Sequence, residues 1–112
     1  MRLLKLAALA LACAALPLQA LSQAYPAKPV RVIVPFPPAG ATDLAARIIS
    51  DHLARAWSQP VVVENRTGAS GMVGTDAVAK ASPDGYTILL GTLATNVMAY
   101  YLYDKVPYSQ DA

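Results

Sequence analysis

Three stretches of this 112-residue sequence combine small, hydroxyl-bearing and amide residues between apolar runs. They are Pro35-Phe36-Pro37-Pro38-Ala39-Gly40-Ala41-Thr42-Asp43, Asn65-Arg66-Thr67-Gly68-Ala69-Ser70-Gly71 and Gly91-Thr92-Leu93-Ala94-Thr95-Asn96. Apart from Asp43 and Arg66 they carry no charge. What they offer is backbone N–H groups and hydroxyls, and a helix starting just after such a loop leaves its first N–H groups without intrahelical acceptors. The chemistry this suits is hydrogen bonding to a small polar or carboxylate ligand, not acid–base catalysis.

Other reactive-looking residues carry less. Gly68, Gly71 and Gly74 follow a strand-like run and open a helix-like one, but their spacing is not that of a dinucleotide fingerprint, and the acidic residue expected about 20 positions later is missing. No Lys-Ser/Thr pair makes the segment a P-loop. A tight turn with close helix packing is the better reading, and a nucleotide-dependent α/β enzyme the weakest of the functional ones. Ser70 does not sit in a G-x-S-x-G elbow, and the only His, His52, falls in mid-helix beside charged residues. Asn65-Arg66-Thr67 fits a glycosylation sequon, a pattern short enough to arise from loop polarity alone. Tyr100, Tyr101 and Tyr103 could stack on a ring, although one face of so short a helix is more often core. One Cys and one His exclude a disulfide framework and a structural zinc site, and no other cofactor is implied.

The elements that must position the three loops follow from the apolar pattern. Val30 to Val34 is a β-branched run between prolines, Val61 to Glu64 a second strand opened by Pro60, and Tyr86 to Leu90 a third. Ser82-Pro83-Asp84-Gly85 is a turn ahead of that third strand. Asp43 to Trp57 reads as a helix with Thr42 as N-cap. Asp43, Arg47, Asp51 and Arg55 would form an exposed, salt-bridged stripe, leaving Ala45, Ile48, Ile49, Leu53, Ala56 and Trp57 to face a sheet. A short helix covers Met72 to about Lys80, and a further helical stretch reaches Tyr103. Strands alternating with helices predict an α/β fold, a parallel sheet with flanking helices. The three loops then lie beyond the carboxyl ends of the strands, where open α/β sheets bind ligands.

Residues 1–24 differ from the rest. Arg2 and Lys5 precede an apolar stretch from Leu6 to Leu18, and Ser22-Gln23-Ala24 ends it with small residues at −3 and −1. This predicts a secretory signal peptide cleaved after Ala24; the apolar stretch is shorter than the roughly 20 residues of a membrane span. Without it Cys13 and the formal charge of +2 both disappear. A neutral, thiol-free chain fits the periplasm and is not the footprint of a nucleic-acid binder.

A succession of motifs carries a resemblance. Tyr25-Pro26-Ala27-Lys28-Pro29-Val30-Arg31-Val32-Ile33-Val34-Pro35-Phe36-Pro37-Pro38 leads into Gln59-Pro60-Val61-Val62-Val63-Glu64-Asn65-Arg66, then Gly68-Ala69-Ser70-Gly71, Gly74-Thr75-Asp76-Ala77, Pro83-Asp84-Gly85-Tyr86-Thr87 and Val106-Pro107-Tyr108. Over residues 25–108 the chain resembles the Bug family, periplasmic receptors of tripartite tricarboxylate transporters. The resemblance implies the N-terminal part of a type II periplasmic binding protein lobe, one half of a clamshell that closes on a small carboxylate without chemistry.

It implies ligand contacts from Phe36, Pro38, Ala39, Gly40, Ala41, Thr42 and Asp43, and from Thr92, Thr95 and Asn96; the residue reading adds Ser70. The implied partners are membrane subunits of the transporter, with a sensor protein as an alternative if the loaded receptor acts as a signalling adaptor. Where the family carries Pro-Pro-Gly-Gly-x-Thr-Asp, this chain has Ala39 and Ala41 flanking Gly40. Family members run to about 300 residues, a two-domain size, so residues 25–112 are expected to be a partial first lobe of a longer receptor, with the second lobe absent.

Overall fold

The computed structural model describes residues 24–109. The expected signal peptide therefore lies, but for Ala24, outside the described residues. Three strands, β1 (Val30–Val34), β2 (Val61–Asn65) and β3 (Thr87–Leu89), form one parallel sheet in the order β2-β1-β3. Val30 lies opposite Val61 and Arg31 opposite Thr87, which sets the two registers. The chain leaves β1 on one side and returns on the other, so the strand order reverses at β1, and the loop that follows it sits where such sheets bind ligands.

The central strand is the core. Val30, Val32, Ile33 and Val34 are all buried, whereas β2 and β3 are only half-covered. Val32 and Val34 share one face and pack with Ala46 of α1 (Ala41–Trp57); Phe36, Val61, Val63, Ile88 and Leu90 close around them. Ile33 points to the other face and is equally buried; α2 (Met72–Ala79) lies against β1 and β3. Coverage of both faces explains why β1 is nearly all β-branched and apolar.

Three expectations about α1 are corrected. The helix starts at Ala41 with Gly40 as N-cap, so Thr42 does not cap it. Its buried residues are Asp43, Ala46 and Ser50, while Ala45 and Ala56 are exposed and Ile48 is 62% exposed. The face laid on the sheet is thus rotated from the one the large apolar residues suggest. Small side chains let the helix come close to β1, and Asp43 has partners there that sequence spacing does not show. The charged stripe is broken at its first member for the same reason: Asp43 is buried, whereas Arg47, Asp51 and Arg55 are exposed.

After β3 the chain turns into a π-helical turn (Ala94–Met98) that runs directly into α3 (Ala99–Leu102). Its tyrosines do not form a core face: Tyr100 is half-buried, but Tyr101 and Tyr103 are exposed. At the opposite end of the sheet, the residues before β1 are fastened down. The Tyr25 hydroxyl donates to Gly85 O at 2.6 Å, the Tyr86 hydroxyl accepts from Ala27 N at 2.8 Å, and Tyr25 packs edge-on against Trp57.

Candidate functional site

The three loops at the carboxyl ends of the strands meet at one residue. A Cβ on Gly71 would stand 2.6 Å from Thr95 Cγ2, 3.3 Å from Pro35 Cβ and 3.4 Å from Phe36 Cζ. The loops after β1, β2 and β3 therefore touch where Gly71 has no side chain. Its φ of 91° is a second reason for glycine. Gly74 faces Arg66 O and Pro35 Cα, both within 3 Å of where its Cβ would be. The Gly68-Gly71-Gly74 series thus serves a tight turn and close packing.

In the loop after β1, Pro35 is buried, Phe36 and Thr42 are half-buried, and Pro38, Ala39, Gly40 and Ala41 are exposed. Ala39 adopts a left-handed φ of 65°, while Gly40 is extended. The loop's conformational cost therefore falls on an alanine. No side chain caps α1, so the N–H groups of its first turn have no side-chain acceptor.

Asp43 holds this loop in place. Its Oδ2 accepts from Ala39 N and from Arg47 Nε, both at 2.9 Å, and its Oδ1 accepts from Asn65 Nδ2 at 2.9 Å. The Asn65 amide also donates to Phe36 O at 3.1 Å, and Arg66 N donates to Val34 O at 2.8 Å. The carboxylate is 3% exposed and held at a pKa of about 2, first by Arg47, then by Asn65 and the Ala39 N–H. Asp43 is thus occupied in joining the loop after β1 to α1 and β2 and, in this structure, shapes the loop from behind. Asn65 is read in the sequence as part of a loop and a sequon but not as a site residue; its place at the carboxyl end of β2 is the signal that would have found it.

In the second loop, Ala69 and Ser70 both take left-handed φ values, 46° and 55°. The Ser70 hydroxyl lies 2.8 Å from that of Tyr103, not beside a histidine. In the third loop, Thr95 is fully buried, and its Oγ1 accepts from Thr92 N at 3.0 Å and approaches Asn96 Oδ1 at 2.9 Å. Thr95 folds the loop and does not face outward. Thr92 is half-buried with its hydroxyl oxygen covered, and Asn96 is exposed with its carboxamide against Gly91.

Charges near the loops are already paired. Glu64 takes a hydrogen bond from Arg66 Nε at 2.6 Å and pairs with Arg31, and these two arginines hold its carboxyl below the usual range. Among the described residues there is no cluster of three metal-ligating side chains. An open cavity of about 490 Å³ lies to the side, between α2, β3 and the last helix, lined by Thr75, Val78, Leu89, Asn96, Tyr100 and Tyr108. What the loop cluster can do is hydrogen-bond an acceptor through exposed backbone amides and hydroxyls.

The chain is similar to known proteins in sequence and in fold. The model of the tripartite tricarboxylate transporter family receptor matches residues 45–112. BugT of Bordetella pertussis is 43% identical over 108 residues, which cover 96% of this chain and 33% of BugT. The structure of MatC from Rhodopseudomonas palustris with bound malate superposes with a TM-score of 0.74 at 40% identity, over 78% of this chain and 30% of that one. An R. palustris protein solved with adipate gives a TM-score of 0.76 at 34% identity, over 79% of this chain and 29% of that one. The chain spans about a third or less of the length of these relatives.

Proposed function

The chain belongs to the tripartite tricarboxylate transporter receptor family, and from that premise we propose that its β1–α1 loop takes one carboxylate of a small dicarboxylate-type solute. Members of this family are periplasmic solute-binding receptors, not enzymes. The observation that carries the reading is the uncapped start of α1, exposed at Ala39 to Ala41 and placed at the carboxyl end of the central strand. Amide N–H groups there, at the positive end of the helix dipole, suit an anion. Arg47 neutralises the nearby Asp43, so no uncompensated negative charge repels the solute. The malate and adipate bound by the two R. palustris proteins support the ligand class.

In this reading residues 1–24 export the chain and residues 25–112 form part of the first lobe of a clamshell. Closing a second lobe would bury the rest of the solute, and membrane subunits would then receive it. NMR titration with malate and adipate tests the first step. The amides of Ala41 and Thr42 should shift saturably with either solute. Saturable binding that leaves both amides unmoved would overturn the assignment of the loop.

A further inference from the structure

We propose that the paired hydroxyls of Ser70 and Tyr103 form a second anchor of the same site, one that takes the distal carboxylate of a linear dicarboxylate. The proposal rests on the carboxylate reading of the β1–α1 loop and adds a subsite made by the second loop and the residue that follows α3. Ser70 is next to Gly71, the point where Phe36 of the first loop and Thr95 of the third meet. Tyr103 follows α3 and reaches back across 33 residues to Ser70, with the two oxygens 2.8 Å apart. Both side chains remain exposed. Of the two hydroxyl hydrogens, one is used within the pair and the other is free to donate outward. A carboxylate is the acceptor that gains most from one such donor, because a charged partner makes the stronger hydrogen bond. Ser70 takes a left-handed backbone conformation that side-chain-bearing residues rarely adopt, and its hydroxyl lies against that of Tyr103. The arginines of the adjoining segments, Arg47 and Arg66, already pair with Asp43 and Glu64.

The test compares adipate with hexanoate, which has the same chain length and one carboxylate, in NMR titrations of the whole chain and of S70A, Y103F and S70A/Y103F. Both ligands should shift the amides of residues 39–42; adipate alone should also shift those of Ser70 and Tyr103. The chain should prefer adipate by about tenfold to a hundredfold, the scale of one charge-assisted hydrogen bond. The single variants should keep part of that preference, and the double variant should lose it while hexanoate affinity stays unchanged. An undiminished preference in the double variant, or no adipate-specific shift at Ser70 and Tyr103 in the unmodified chain, would overturn the second anchor and leave the first-loop reading standing. No shift at residues 39–42 with either ligand would instead overturn the first-loop reading and the anchor built on it.

Discussion

Asp43 shows how one buried carboxylate can fix a binding loop without touching a ligand. Its oxygens accept from an amide N–H, a guanidinium and a carboxamide that belong to the loop, to α1 and to β2. Asp43→Asn keeps the shape but turns an acceptor into a donor that faces other donors, and it leaves Arg47 unpaired. Urea unfolding followed by Trp57 fluorescence should show a lower midpoint for Asp43→Asn and an almost unchanged one for the same substitution at exposed Asp51. Gly71→Ala meets both a positive φ and the Thr95 methyl, and is expected to cost about 1–3 kcal/mol in the same assay. Ala39→Gly should raise stability by about 0.5 kcal/mol, since relief of the left-handed conformation slightly outweighs the extra freedom of the unfolded chain. The residue types of this site were legible in the sequence: small, hydroxyl-bearing loops with a backbone-donor character. The convergence on Gly71 was not, because Pro35, Gly71 and Thr95 are far apart in the chain and meet only through the strand order.

At the scale of elements, α1 separates what periodicity shows from what it does not. Its existence and length follow from the pattern, and so do the three parallel strands, whose β-branched runs end at prolines and glycines. Its orientation does not follow, because the amphipathic rule places the largest apolar residues inward, and here close approach to β1 favours Ala46 and Ser50 instead. Strand β3 is shorter than its apolar run, although Tyr86 O still accepts from Arg31 N and Leu90 N donates to Ile33 O at its two ends. The tyrosine-bearing end of the chain is likewise helical as expected, but opens with a π turn that its composition does not announce. The rotation of α1 is testable by a pair of substitutions. Ala46→Leu should cost about 1–3 kcal/mol by overpacking a site that is 1% exposed. Ile48→Lys should change stability by no more than about 0.5 kcal/mol. The reverse ranking in chemical denaturation would restore the face read from the sequence.

Across the whole molecule, three carboxylates with lowered pKa values each fasten segments distant in the chain, and together they set its response to acid. Asp43 links the loop after β1 to β2; Glu64 links β2 to Arg31 of β1; Asp84, lowered first by the Tyr86 N–H and then by Lys28, links the turn before β3 to the residues ahead of β1. In the unfolded chain such groups titrate near 4, so between that value and their folded pKa the unfolded state binds more protons. Their stabilisation is therefore complete above about pH 5 and is lost as pH falls below about 4, in the case of Asp43 down to its folded value of about 2. The urea midpoint should be flat from about pH 7 to 5 and then drop steadily, measured by far-UV circular dichroism. Salt separates the contributions: the Lys28–Asp84 pair is exposed and should be screened, whereas the buried Asp43 hub should keep its effect. Asp43→Asn should accordingly flatten the acid limb at high salt by more than Asp84→Asn does, since only the Tyr86 N–H still lowers Asp84 there. A midpoint that stays constant down to about pH 2.5 would show that these carboxylates do not fasten the sheet to its loops.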